Sequence, residues 1–366
     1  MQRLTRDDRG AVAVVVAVCM AALLGMGTLV LDVGQLYAER RQLQNGADAA
    51  VLSLALDCPT VAGCSTDTSV TGQAGTKANQ NDADPLNNEA QITQICGNAA
   101  TLQTCSPASG IGPWDCRPVA PGLASANYVQ VRTQTRRNGG GNLVPPLLAR
   151  VLVAGYPGTN VRACARASWG PAAGLTSQLP LTISLCEFQK YTASGFAPPP
   201  PYPANYSGEK TVYFHNNTTT APPCPAGPSG SDLPGGFGWL DTTENCVATT
   251  STGGWVDDST GVPPPNSCSN AELLAMRGQL INIPVFDAVN GLNGANGQYR
   301  IVGYAAFYLT GYVFPSAKAK SLLTGNFMCG GPDHCISGVF TQDLSPVAGT
   351  IGTGSSFGST AVQMSG

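Results

Sequence analysis

The residues able to do chemistry fall in a few short clusters. Gly354-Ser355-Ser356-Phe357-Gly358 fits the string of a nucleophile elbow, where a tight strand-to-helix turn exposes a serine. It lies, however, in Gly/Ser/Thr-rich sequence with no strand pattern before it and no helix pattern after it. His215 and His334 are imidazoles of the kind used as general bases, yet each sits among turn-forming residues. Asp257-Asp258 offers paired carboxylates, but neighbours in extended chain face opposite ways, so a turn is the expectation. Asn81-Asp82-Ala83-Asp84, with Asn87, Asn88 and Glu89, has the oxygen density of a calcium loop without the EF-hand spacing or its central glycine. Nucleotide-binding glycine motifs and the His-Glu-x-x-His zinc motif do not occur. The expectation is a protein with no catalytic residues, no cofactor and no metal.

The cysteines argue for structure instead. There are thirteen in 366 residues, and Cys19 lies inside an apolar run. The other twelve, from Cys58 to Cys335, are spread through loop-rich sequence, which reads as a disulfide framework and an oxidising compartment. No spacing is Cys-x-x-Cys, so zinc-knuckle and thioredoxin chemistry have no support. Cys58 with Cys64 and Cys329 with Cys335 share a Cys-x5-Cys spacing suited to small closed loops. Charged residues are only 11% of the chain and net charge is −3, which removes nucleic acid as a partner. Gly (44) and Pro (28) are too abundant for a mainly helical fold.

What must carry and place this framework is the N-terminus. Ala11 to Leu31 has no charge and, as a helix, spans about 31 Å, which matches a hydrocarbon core of ~30 Å. Arg3, Arg6 and Arg9 precede it; Arg40 and Arg41 follow, with no further Lys or Arg until Lys77. That bias puts the N-terminus in the cytoplasm and exports the bulk as a single-pass membrane protein. The apolar stretch is long for a cleaved signal, and no small-x-small site closes it. Ala13, Ala17, Ala21 and Gly25 recur every four residues, a stripe that suits close helix packing in lipid. Beyond the span no proline occurs before Pro59, and apolar residues continue at helical spacing: Val33, Leu36, Tyr37, Leu43, Ala47, Ala50, Val51 and Leu54. Glu39, Arg40, Gln42, Asn45 and Asp48 take the other faces. One rod of about 45 residues is expected, half in the bilayer and half outside, ended by Cys58-Pro59.

These residues resemble a known family. Arg9-Gly10-Ala11, an uncharged span, and then Asp32-Val33-Gly34, Tyr37, Arg40-Arg41, Leu43-Gln44-Asn45 and Ala47-Asp48-Ala49-Ala50 look like the N-terminal module of TadE/TadG-like proteins. Leu179 to Ser184 with Cys186-Glu187, and Ile283 to Asp287 with Tyr304 to Phe307, resemble the exported part of actinobacterial relatives less specifically. The resemblance implies a bacterial subunit or accessory factor of Flp (Tad) type IV pilus assembly. Its partners would be the membrane and other pilus-assembly or pilin-like subunits, met through the N-terminal helix; a surface protein or glycan partner stays open. Pilin-like members carry a glutamate shortly after the Arg-Gly junction, where this chain reads Val12-Ala13-Val14-Val15-Val16. The likeness is therefore closer to the TadG side. The metal site of the von Willebrand A domain found in some TadG-like proteins has no match, since Asp257-Asp258-Ser259-Thr260-Gly261 departs from Asp-x-Ser-x-Ser. The alternatives are a minor pilin cleaved between Gly10 and Ala11 and an anchored envelope adhesin.

The expected architecture is α+β: a long pilin-like membrane-spanning helix, then a disulfide-stapled, mainly antiparallel β region. Val129 to Arg136 and Val161 to Ser168 alternate as two strands able to pair, either side of the Asn138 to Asn142 turn. Residues 59–90 read as a connector. A strand is expected over Leu181 to Phe188, others over Thr211 to Phe214, Gly238 to Asp241 and Gln279 to Phe286, and two bent strands over Tyr299 to Phe314. Residues 1–10 form a cytoplasmic tail, 11–31 the span, 32–57 its outer continuation, 58–174 a small pilin-like β region, 175–345 a second exported β domain and 346–366 a flexible tail.

Overall fold

A computed structural model describes residues 9–59, 64, 72–80, 89–99, 102–105, 116, 118–119, 121–137, 140–153, 155–177, 179–214, 237–242, 246–259, 263–291, 297–331, 333–345, 350–352 and 354–366. The chain starts with α1 (Arg9–Asp57), α2 (Gln73–Gln80), β1 (Glu89–Gly97), β2 (Asn127–Arg136), α3 (Ala149–Leu152) and β3 (Arg162–Ser177). Then come β4 (Leu181–Ser184), α4 (Leu185–Thr192), β5 (Lys210–Phe214), β6 (Phe237–Leu240), β7 (Ala248–Ser251), β8 (Trp255–Ser259) and α5 (Asn270–Met276). Last are β9 (Leu280–Asn290), β10 (Gln298–Val313), β11 (Lys318–Ala319), β12 (His334–Thr341), β13 (Asp343–Ser345), β14 (Thr350–Ile351) and β15 (Ser359–Met364).

The first sheet is seated on the outer half of α1. Its order is β1-β2-β3-β15-β13, with β7 and β14 joined to the far end of β3. Leu43, Ala47, Ala50, Val51 and Leu54 lie on one face of α1 and are buried against Val129 and Val131 of β2 and Ala163, Ala165 and Ala167 of β3. Three alanines on β3 keep the sheet surface shallow, so the helix backbone comes close. Gly46 serves the same end: a Cβ there would stand 2.7 Å from the Ala78 carbonyl oxygen of α2. The helix stops at Asp57, where Pro59 can neither donate to the ladder nor tolerate a helical residue before it.

The second sheet runs β5-β12-β10-β8-β6-β4-β9, and β9 pairs again with β10, so β10, β8, β6, β4 and β9 close into a ring. Leu181, Ile183, Trp239, Ile283, Val285, Ala305 and Phe307 belong to the core of this half. Phe188 of α4 meets Phe357 edge-on at 5.2 Å and Phe340 at 5.6 Å. Gly303 makes room for Phe357, since a Cβ would fall 2.0 Å from its ring. Disulfides join Cys58 to Cys64, Cys96 to Cys105, Cys116 to Cys164, Cys246 to Cys268 and Cys329 to Cys335; Cys186 is also disulfide-bonded.

Several expectations are corrected. Within the expected flexible tail 346–366, residues 359–364 instead form β15, antiparallel to β3, pairing Thr360 to Met364 with Pro171 to Ala167, and Ala361 is fully buried. A domain boundary at 174/175 would cut β3, which runs unbroken from the first sheet to β7. Ala172 and Leu175 of β3, Ala361 of β15 and Phe286, Ile301 and Tyr304 of the second sheet share one apolar cluster, so the two sheets are fused through β3. The strand from Leu181 ends at Ser184, whose hydroxyl accepts the Glu187 N–H and caps α4. Asp257 and Asp258 lie in β8 rather than a turn. The two bent strands expected over Tyr299 to Phe314 are one strand, β10, which ends at Val313 and whose register shifts beside Gly303 and Gly311. The 59–90 connector contains α2 and the start of β1.

A chain ending at Gly358 loses the β15 ladder and the burial of Ala361 and Val362. We expect it to lose at least about 3 kcal/mol in chemical denaturation. The Cys116–Cys164 bridge closes a sequence separation of 48 residues. Replacing both cysteines with serine should cost about 2–4 kcal/mol on the same assay.

Candidate functional site: the anchor helix and its seat

Chemistry has little to build on among the described residues. Ser356, at the centre of the elbow string, merely accepts the Gly358 N–H at 3.4 Å, and the neighbouring Phe357 is buried in the core. His334 is in β12, paired with Phe214 of β5. Asp257 accepts from Gln298 Nε2 at 2.8 Å on the exposed side of β8, and Asp258 is raised by burial and by its neighbour Asp257, against two backbone donors. Among the described residues no three His, Cys, Asp or Glu gather as a metal-holding group. His215 and the Asn81-to-Asn88 cluster lie outside the described residues, and only Glu89 of that run begins β1.

The resemblance residues map onto one continuous element. Arg9 and Gly10 are its first residues. From Val12 to Leu31 every residue is exposed except Gly25 and Thr28, which are half-buried, the Thr28 hydroxyl donating to the Gly25 carbonyl at 2.7 Å. Ala13, Ala17 and Ala21 are therefore uncovered, and at the half-buried Gly25, the last of the stripe, no atom lies within 4 Å of a built Cβ. This is a helix long and apolar enough to cross a membrane.

At Asp32 the surroundings change abruptly. The carboxylate is buried and accepts three backbone N–H groups: Leu147 at 2.7 Å, Leu148 at 3.1 Å and Ala149 at 2.6 Å. Burial pulls its pKa up, but the donors from Leu148, Ala149 and Leu147 outweigh it and hold the group below the usual carboxylate range. Two turns on, Glu39 is buried rather than solvated, and its Oε1 accepts the Thr135 hydroxyl of β2 at 2.7 Å. Thr133 donates to the Leu43 carbonyl at 3.2 Å. Gln44 donates to Asp48 at 2.8 Å and to the Cys164 carbonyl of β3 at 3.0 Å. Burial raises Asp48, with the Gln44 bond opposing. Ala47 is fully buried, and Arg40 is half-buried and partnered.

Glu39, Gln44 and Ala47 thus hold the rod to the sheet and Asp32 holds it to the segment leading into α3, while Gly34 and Tyr37 stay exposed. A Cβ at Gly34 would meet nothing. Glu39 is expected off the apolar face of the rod; its polar partner Thr135 is 96 residues away, and only a hydroxyl at an alternating strand position hints at it.

Fold and site define a membrane-anchored, disulfide-stapled β protein whose anchor helix is also one wall of its core. Residues 10–55, nearly the whole of the rod, match the family described as "Putative Flp pilus-assembly TadE/G-like". No curated protein and no solved structure matches the chain. The β body lies outside the matched region.

The Asp32 clamp has a pH signature. Its depressed pKa adds stability that is complete above the ordinary carboxyl value of about 3.9 and is lost as pH falls through the lower folded value. Asp32→Asn should lower the thermal midpoint at pH 7, and the gap to the natural protein should close in acid. Gly46→Val should cost about 1–3 kcal/mol by forcing α2 off the helix.

Proposed function

We propose that the protein is a non-enzymatic, membrane-anchored accessory subunit in assembly of a Flp/Tad-type pilus or a related cell-surface structure. The TadE/G-like match over residues 10–55 carries this reading. The N-terminus lies in the cytoplasm and the β body outside, in keeping with Arg3, Arg6 and Arg9 before the span and a disulfide at Cys58, directly after the helix. Other pilus-assembly subunits meet the helix along Ala13, Ala17, Ala21 and Gly25, where small side chains let a second backbone approach in lipid.

The stretch Val12 to Val16 has no glutamate, which favours the accessory subunit over a filament-forming pilin. The N-terminal sequence and intact mass of protein extracted from its native membrane decide the role. An intact Met1 supports the accessory subunit. A start at Ala11 would make it a processed filament subunit, and a start beyond residue 25 would remove the anchor and the pilus reading with it. Ala17→Leu with Ala21→Leu should leave membrane insertion unchanged but reduce co-isolation of partner subunits from detergent extracts.

A further inference from the structure

Outside α1, several of the exposed large apolar side chains among the described residues gather in the excursion between β2 and β3. Leu143 is 41% exposed, Leu147 60%, Leu148 37%, Val153 56% and Tyr156 38%. These side chains are not on loose chain. Val144 and Thr159 exchange backbone bonds at 2.8 and 3.2 Å and close the base, Val144 is buried in the first core, and the Val153 N–H donates to the Ala149 carbonyl at 2.8 Å. The base faces inward while the tip presents leucines to solvent.

Where that tip stands is decided by Asp32. Its three bonds to Leu147, Leu148 and Ala149 tie the excursion to the residue directly after Leu31, the last of the apolar span. β2 leads to the same level: Thr133 bonds the Leu43 carbonyl and Thr135 bonds Glu39, so the strand descends α1 toward the span and ends in Arg136, with Arg137 next. Arg136, Arg137 and Arg150 are all exposed. With the span across the bilayer, exposed leucines and arginines therefore lie at the plane where acyl chains meet phosphates.

We propose that the α3 excursion is a second membrane contact, with Leu147, Leu148 and Val153 in the outer acyl boundary and Arg150 on lipid phosphate. Apolar tip, basic flank and height on the anchor fit an interfacial segment rather than a protein groove. Two contacts at one level would fix the tilt and rotation of the β body over the membrane, which a lone helix cannot do. The inference rests on α1 spanning the bilayer.

The test uses the full chain in vesicles containing a phospholipid with a photoactivatable acyl chain, with adducts mapped by mass spectrometry. Adducts on both Val12–Leu31 and 143–156 are expected. Leu147→Ser with Leu148→Ser, both exposed and so neutral to folding, should lose the second set and keep the first, with an unchanged thermal midpoint. Adducts confined to α1 would overturn the second contact and leave the span intact, as would protein–protein cross-links at 143–156 without lipid adducts. Adducts on neither segment would overturn the span and the inference together.

Discussion

A single unbroken helix here has to satisfy two different solvents, and the rest of the fold follows from that. For its first twenty or so residues α1 offers apolar side chains on every face, the pattern that lipid accepts and water does not. From Asp32 onward only one face is apolar, and that face is the inner wall of the first sheet. No proline intervenes between the two halves, and the first sheet packs directly on the outer one. Asp32 marks the change: an isolated carboxylate at the edge of hydrocarbon would be costly, and three backbone donors from a distant loop turn it into a fixed point.

The sheet fused to that rod transmits the anchor to the rest of the protein. β3 pairs with β2 near the helix, with β15 at its middle and with β7 at its far end. The closed ring of the second sheet and its aromatic core hang on this strand. Bridges with short and medium sequence separations hold the connections around them, which suits a body with few charges and many turns.

How much of this the sequence disclosed depended on how local the signal was. The rod, its end at Cys58-Pro59 and the β2–β3 pair were legible because helical spacing and strict alternation are properties of neighbours in sequence. α4 carried a usable sign, Ser184-x-x-Glu187, that a run of apolar residues before it disguised as a strand. β15 was hidden by the Gly/Ser stretch ahead of it, and its partner β3 is almost two hundred residues upstream, beyond any local pattern. The polar clamps were missed for the same reason. Glu39 and Asp32 look like solvent-facing charges until Thr135 and the Leu147–Ala149 backbone arrive from elsewhere in the chain.

The central claim is the continuity of α1 through Asp32-Val33-Gly34, and amide hydrogen exchange on the full chain in lipid bilayers tests it most directly. Unbroken slow exchange is expected from Val12 to Asp57, with Val33 and Gly34 as protected as the residues on either side. Fast exchange confined to residues 32–35, between two protected stretches, would show a hinged anchor and a separable head, and would contradict it.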